Sequence, residues 1–107
     1  MSKVRHLERD DEFDNLIKEA GSKLVVVDFF ATWCGPCKMI GPQFENLSSK
    51  YDNVVFVKID VDKLEGISTR YNISAMPTFI ALKNGQKVGE VVGANIGTVE
   101  ELINKNK

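Results

Sequence analysis

A chain of 107 residues is enough for one compact domain and too short for two. Its 43% hydrophobic and 27% charged residues describe an ordinary soluble globular protein and exclude the disordered and membrane-embedded classes. Fourteen basic and fifteen acidic side chains leave a net charge of −1, without the clustered positive charge that a nucleic-acid or membrane-surface partner requires.

The first residues, Met1 to Leu7, are charged and lack the apolar run of a secretory signal. No later segment approaches the roughly 20 apolar residues that span a bilayer, so a cytoplasmic location is expected. Lys3 to Leu7 read as a short edge strand. Phe13, Leu16, Ile17 and Ala20 then follow the spacing of one helical face, and Gly21 stands where that helix should stop. Residues 24–30, Leu-Val-Val-Val-Asp-Phe-Phe, form a run apolar on both faces, the pattern of a strand central in a sheet covered on both sides.

Beyond the cysteine segment, Ile40, Phe44, Leu47 and Tyr51 mark a second helix, with Pro42 inside it as a site for a kink. Val54 to Ile59 is a second β-rich run, and Leu64, Ile67 and Tyr71 fit a short helix. Residues 78–82 and 88–92 flank Asn84-Gly85, a hairpin signal. Ile96, Val99, Leu102 and Ile103 give the last helix. The order β-α-β-α-β-α-β-β-α predicts an α/β fold in which a mixed sheet carries helices on both faces. Chemistry in such sheets sits beyond the carboxyl ends of central strands, and Cys34 falls there, just after Phe30.

The reactive inventory is two cysteines and one histidine. A disulfide framework needs more cysteines. A structural zinc site needs four ligands, and His6 is distant in sequence. A purely structural disulfide closing so short a loop would contribute about 2 kcal/mol, less than a longer loop provides. The remaining reading is a reactive dithiol. Cys34 and Cys37 stand three positions apart at a helix start, where unpaired N–H groups and the helix dipole favour thiolate over thiol. Cys34, nearest the end, is expected to attack a substrate disulfide. Cys37, one turn further in and more sheltered, is expected to resolve the mixed disulfide and leave a Cys34–Cys37 bond. Asp28 interrupts an otherwise apolar strand. Burial should raise its pKa and make it a proton acceptor near neutrality, and Lys58 on the next β-rich run is a candidate partner for its charge.

Val27-Asp28-Phe29-Phe30-Ala31-Thr32-Trp33-Cys34-Gly35-Pro36-Cys37-Lys38, followed by Ala75-Met76-Pro77-Thr78-Phe79 and by Gly93-Ala94, carries a specific resemblance. The chain is similar over essentially all its residues to the thioredoxin family, in particular its small cytosolic eukaryotic members. The resemblance implies the thioredoxin fold over residues 1–107, a mixed five-stranded sheet flanked by four helices. It implies that Met76–Pro77 is a cis peptide facing the cysteines, although Pro77 taken alone also suits a strand entry. It implies a substrate groove at Trp33, Ala75, Met76, Pro77, Thr78, Gly93 and Ala94, and a proton relay through Asp28 to Cys37. Gly35, Pro36, Lys38 and Lys58 are expected as supporting residues.

The implied activity is reduction of protein disulfides, with no bound cofactor or metal beyond the cysteine pair itself. The chain has no dinucleotide fingerprint. The electrons would come from an NADPH-dependent thioredoxin reductase, and the clients would include peroxiredoxins, ribonucleotide reductase and methionine sulfoxide reductase. A monomer is expected, with no nucleic-acid or membrane partner. Phe30 stands where many members have tryptophan, and the additional cysteines of some animal members are absent. Intact Cys34 and Cys37 argue against a pure binding module. Pro36 and the lack of a secretory signal argue against an oxidising secretory domain.

Overall fold

A computed structural model describes residues 3–107; Met1 and Ser2, part of the stretch read for a secretory signal, lie outside the described residues. In chain order the elements are β1 (Arg5–His6), α1 (Asp10–Ala20), β2 (Leu24–Phe30), α2 (Gly35–Lys50), β3 (Val54–Asp60), α3 (Glu65–Arg70), β4 (Thr78–Lys83), β5 (Gln86–Val92) and α4 (Ile96–Asn106). The expected alternation is present, with β1 reduced to two residues.

The strands form one mixed sheet in the order β1-β3-β2-β4-β5. The strand apolar on both faces, β2, is central, parallel to β3 and antiparallel to β4. Because successive side chains of a strand point to opposite faces, β2 divides its residues between two cores. Val25, Val27 and Phe29 join Phe13, Leu16 and Ala20 of α1 and Ile67 of α3. Leu24 and Val26 join Ile40, Phe44 and Leu47 of α2 and Val99 and Ile103 of α4. Phe44 anchors the second core, its ring 5.3 Å from that of Phe56 and 5.4 Å from that of Phe79. Alternation therefore assigns Asp28 to the face that α2 covers. Lys58 lies directly opposite Asp28 in the β2–β3 register.

Local chemistry sets the element ends. Asp10, Asp11 and Glu12 occupy the positive end of α1, and Glu12 accepts the Arg9 N–H at 2.9 Å. Gly21 ends the helix at φ +60°, its N–H donating to the Lys18 carbonyl. Asp10 also reaches across to α3, accepting the Ile67 N–H at 3.1 Å. Helix α2 continues through Pro42 to Lys50. The Asn84-Gly85 turn has positive φ at both residues, as a two-residue hairpin requires. Its second strand starts at Gln86, two residues before the apolar signal at Val88.

Gly89 of β5 lies beneath α4, where an added Cβ would stand 2.4 Å from Leu102 Cδ1. Gly89→Ala should therefore force Leu102 from its rotamer and cost about 1 kcal/mol. Urea denaturation checks this, and an unchanged midpoint would show that α4 yields freely.

Candidate active site

The loop after β2 delivers Cys34 to the N-terminus of α2, where it is the N-cap residue. Its Sγ accepts the Cys37 N–H at 3.2 Å, so an otherwise unpaired donor of the first helical turn is directed at sulfur. Pro36 lies in the same turn, where its missing N–H removes no intrahelical bond. Cys34 and Cys37 are joined by a disulfide, with 5.3 Å between their Cα atoms. Ala31 packs against the pair, with Phe30, Val61 and Met76 at the edge of that cluster.

The expected difference in accessibility is slight: Cys34 is 5% exposed and Cys37 is 4% exposed. The bond holds both in one seam, and their surroundings differ instead. Cys34 Sγ lies 3.7 Å from the Met76 carbonyl oxygen. Cys37 lines a cavity of about 230 Å³ with Phe30, Ala31, Thr32, Lys38 and Lys58.

The wall facing Cys34 is assembled by hydrogen bonds to backbone carbonyls. Met76–Pro77 is cis, as the resemblance implied. The Thr78 hydroxyl donates to the Ala75 carbonyl just before it. Gly93, at φ +108°, donates its N–H to the Pro77 carbonyl at 2.9 Å. That bond draws Gly93-Ala94 against the proline loop, so residues far apart in sequence meet at one rim.

Asp28 is fully buried, and neither carboxylate oxygen has a hydrogen-bond partner among the described residues. Burial pushes its carboxyl from 3.8 up to about 7, against an opposing pull from the Lys58 charge. Lys58 is therefore not the direct partner that neutralises Asp28. Its Nζ stands over the Phe30 ring, 4.5 Å from the centroid, and acts on the carboxylate only through space.

Trp33 is 68% exposed, so its ring is not part of the core. Its Nε1–H donates to Asp62 Oδ2 at 3.0 Å. A cleft of about 570 Å³ runs from Trp33 and Met76 past Asp62 to Glu65, Thr69 and Ile73. Asp62, Glu65 and the rest of this α3 side were missed by sequence reasoning. The available signal was that parallel β2 and β3 end together, which brings the residues after Asp60 beside the cysteine loop. Lys38 and Gly35 are exposed on α2, and Ala75 is exposed at the proline loop. Among the described residues, no group of three or more His, Cys, Asp or Glu side chains is placed to hold a metal ion.

Residues 4–105 match the family model described as thioredoxin. The chain belongs to the thioredoxin family. It is 53% identical over 106 residues to the thioredoxin of Ictalurus punctatus, covering 97% of this chain and 99% of that one. To the thioredoxin of Callithrix jacchus it is 51% identical over 102 residues, covering 95% and 97%. The crystal structure of reduced Schistosoma mansoni thioredoxin pre-protein superposes with a TM-score of 0.96 at 59% identity, covering 99% of this chain and 100% of that one.

Family membership and the joined cysteines together make the chain a dithiol–disulfide oxidoreductase with protein-disulfide reductase activity. Its redox group is its own cysteine pair. A thioredoxin works between a reductase and disulfide-bearing clients in general terms. Among the described residues, no helix is long and apolar enough to cross a membrane.

Proposed function

We propose that this chain is a monomeric cytoplasmic thioredoxin, one domain over residues 1–107, that carries two electrons from an NADPH-dependent thioredoxin reductase to protein disulfides. The observation that carries the reading is the Cys34 sulfur, placed at a helix N-terminus and 3.7 Å from the Met76 carbonyl at the head of an open cleft. An extended client segment would pair with the Met76 backbone in the manner of an added strand. Trp33, Ala75, Pro77, Thr78, Gly93 and Ala94 complete the groove.

In the reduced protein, the Cys34 thiolate attacks one sulfur of the client disulfide. That bond breaks, a Cys34–client bond forms, and the departing client thiolate takes a proton from water. Cys37 then gives its proton to the Asp28 carboxylate and attacks Cys34 Sγ. The mixed disulfide breaks, Cys34–Cys37 forms, and the client's second sulfur leaves as a thiolate with the bonding pair and takes up a proton, which completes the two-electron reduction of the client. The pKa of Asp28 near 7 and its place on the sheet face beneath α2 suit it to accept and return that proton. Gly35 and Pro36 shape the turn between the cysteines, while Lys38 and Lys58 supply positive charge around Cys37. Peroxiredoxins, ribonucleotide reductase and methionine sulfoxide reductase are the expected clients.

The test mixes NADPH, a thioredoxin reductase and insulin, and follows NADPH oxidation and insulin precipitation. Adding the chain in catalytic amount should drive many turnovers. Binding of insulin without NADPH consumption would reject the carrier reading.

A further inference from the structure

The cleft beside Cys34 carries uncompensated negative charge. Asp62 and Glu65 line it, and none of its lining residues is cationic. Neighbouring cations are directed elsewhere: Lys63 pairs with Glu8 and Arg70 pairs with Asp14, both outside the cleft. The Asp62 carboxylate accepts the Trp33 indole N–H, a neutral donor that leaves its charge intact. Glu65 is exposed in the first turn of α3. The cleft is continuous with the reacting centre, since Trp33 and Met76 line it and Met76 also faces Cys34 Sγ. Its floor has apolar area from Val61 and Ile73 beside hydroxyls from Ser68 and Thr69. A long amphipathic side chain suits it, with methylenes over the floor and a cationic end among the carboxylates.

We propose that Glu65, with Asp62, is a specificity determinant that selects clients with a lysine or arginine within a few residues of the reacting cysteine. This deepens the reductase reading and rests on it. Glu65 does not touch the reacting sulfurs. It acts by raising the encounter rate and holding the client's flank, an effect that falls with ionic strength.

The test is a single-turnover assay with pre-reduced protein, which needs no reductase. The probes are disulfide-linked peptides differing only in lysine, glutamine or glutamate near the cysteine, with the variable residue N-terminal to it in one set and C-terminal in the other. At low ionic strength the lysine peptide should react about fivefold faster than the glutamate peptide in one set. That ratio should fall toward one in Glu65→Gln, invert or vanish in Glu65→Lys, and shrink at high salt. A ratio near one in both sets for the native protein, or a ratio that survives Glu65→Lys, would overturn the proposal while leaving the reductase reading intact. Failure to cleave any peptide would overturn both.

Discussion

Cys34→Ser should abolish reductase-coupled turnover, a loss on the order of a thousandfold or more, and should form no covalent adduct with clients. Cys37→Ser should lose turnover equally but accumulate as a mixed disulfide through Cys34, visible on a non-reducing gel and by intact mass. Burial does not distinguish the two sulfurs; the assignment rests on what each faces. Cys34 caps α2 and looks onto the Met76 carbonyl at the cleft head, beside exposed Trp33. Cys37 lies one residue past Pro36 and lines the cavity on the Lys58 side. Neither sulfur lines the cleft itself, but Cys34 adjoins it through Trp33 and Met76, so a client docked there is expected to react at Cys34. Without Cys37 no second thiol can break the adduct. Adduct formation by Cys34→Ser instead would reverse the roles.

The second expected result concerns Asp28 and pH. The folded carboxyl titrates near 7 instead of 3.8, chiefly because burial penalises its charge. Between those values the native state holds a proton that the unfolded chain has released. Stability therefore falls as pH rises through that window. Below about pH 4 both states are protonated and the penalty is absent; above about pH 7 it is complete, at about 4 kcal/mol. Asp28→Asn, neutral throughout, should lose this slope. It should match the native protein near the acid end and exceed it by a few kcal/mol in mild base. Urea unfolding at the two extremes checks this, and parallel pH dependence in both proteins would discard it. The same variant should react normally at Cys34 with an alkylating agent yet release the mixed disulfide slowly, because Cys37 has lost its proton acceptor. Equal turnover of mutant and native protein across the neutral range would refute the relay.

The fold was most legible where burial and turn chemistry agree. β2 could be delimited because its apolar run is bounded by Gly21 on one side and the cysteine loop on the other. Gln86 and Lys87 of β5 were not legible as strand, being polar and exposed at a sheet edge where alternation carries little signal. The reactive pair and Asp28 were legible because each is the wrong residue type for a merely structural role at its position. The residues that shape the cleft were not. Asp62 and Glu65 are ordinary surface carboxylates in the chain and gain meaning only when β3 ends beside β2. Lys58 shows the reverse error. Its place on the next β-rich run made it a candidate partner for Asp28, and the two do lie opposite in register, but register fixes backbones, and the side chain's length lets it reach the Phe30 ring instead.

The strand order has a consequence for synthesis. β2 is paired on one side by β3, which ends at Asp60, and on the other by β4, which begins at Thr78. As the chain leaves the ribosome, β1 to β3 can assemble first, with α1 and α2 available to cover their faces. Until β4 emerges, the most apolar strand presents an open edge of unpaired backbone, the kind of edge that recruits foreign strands. The closing hairpin supplies both the missing partner of β2 and, through the flanking Met76 and Gly93, the wall that faces Cys34. Completion of the sheet and completion of the reactive site are thus one event in the life of the nascent chain.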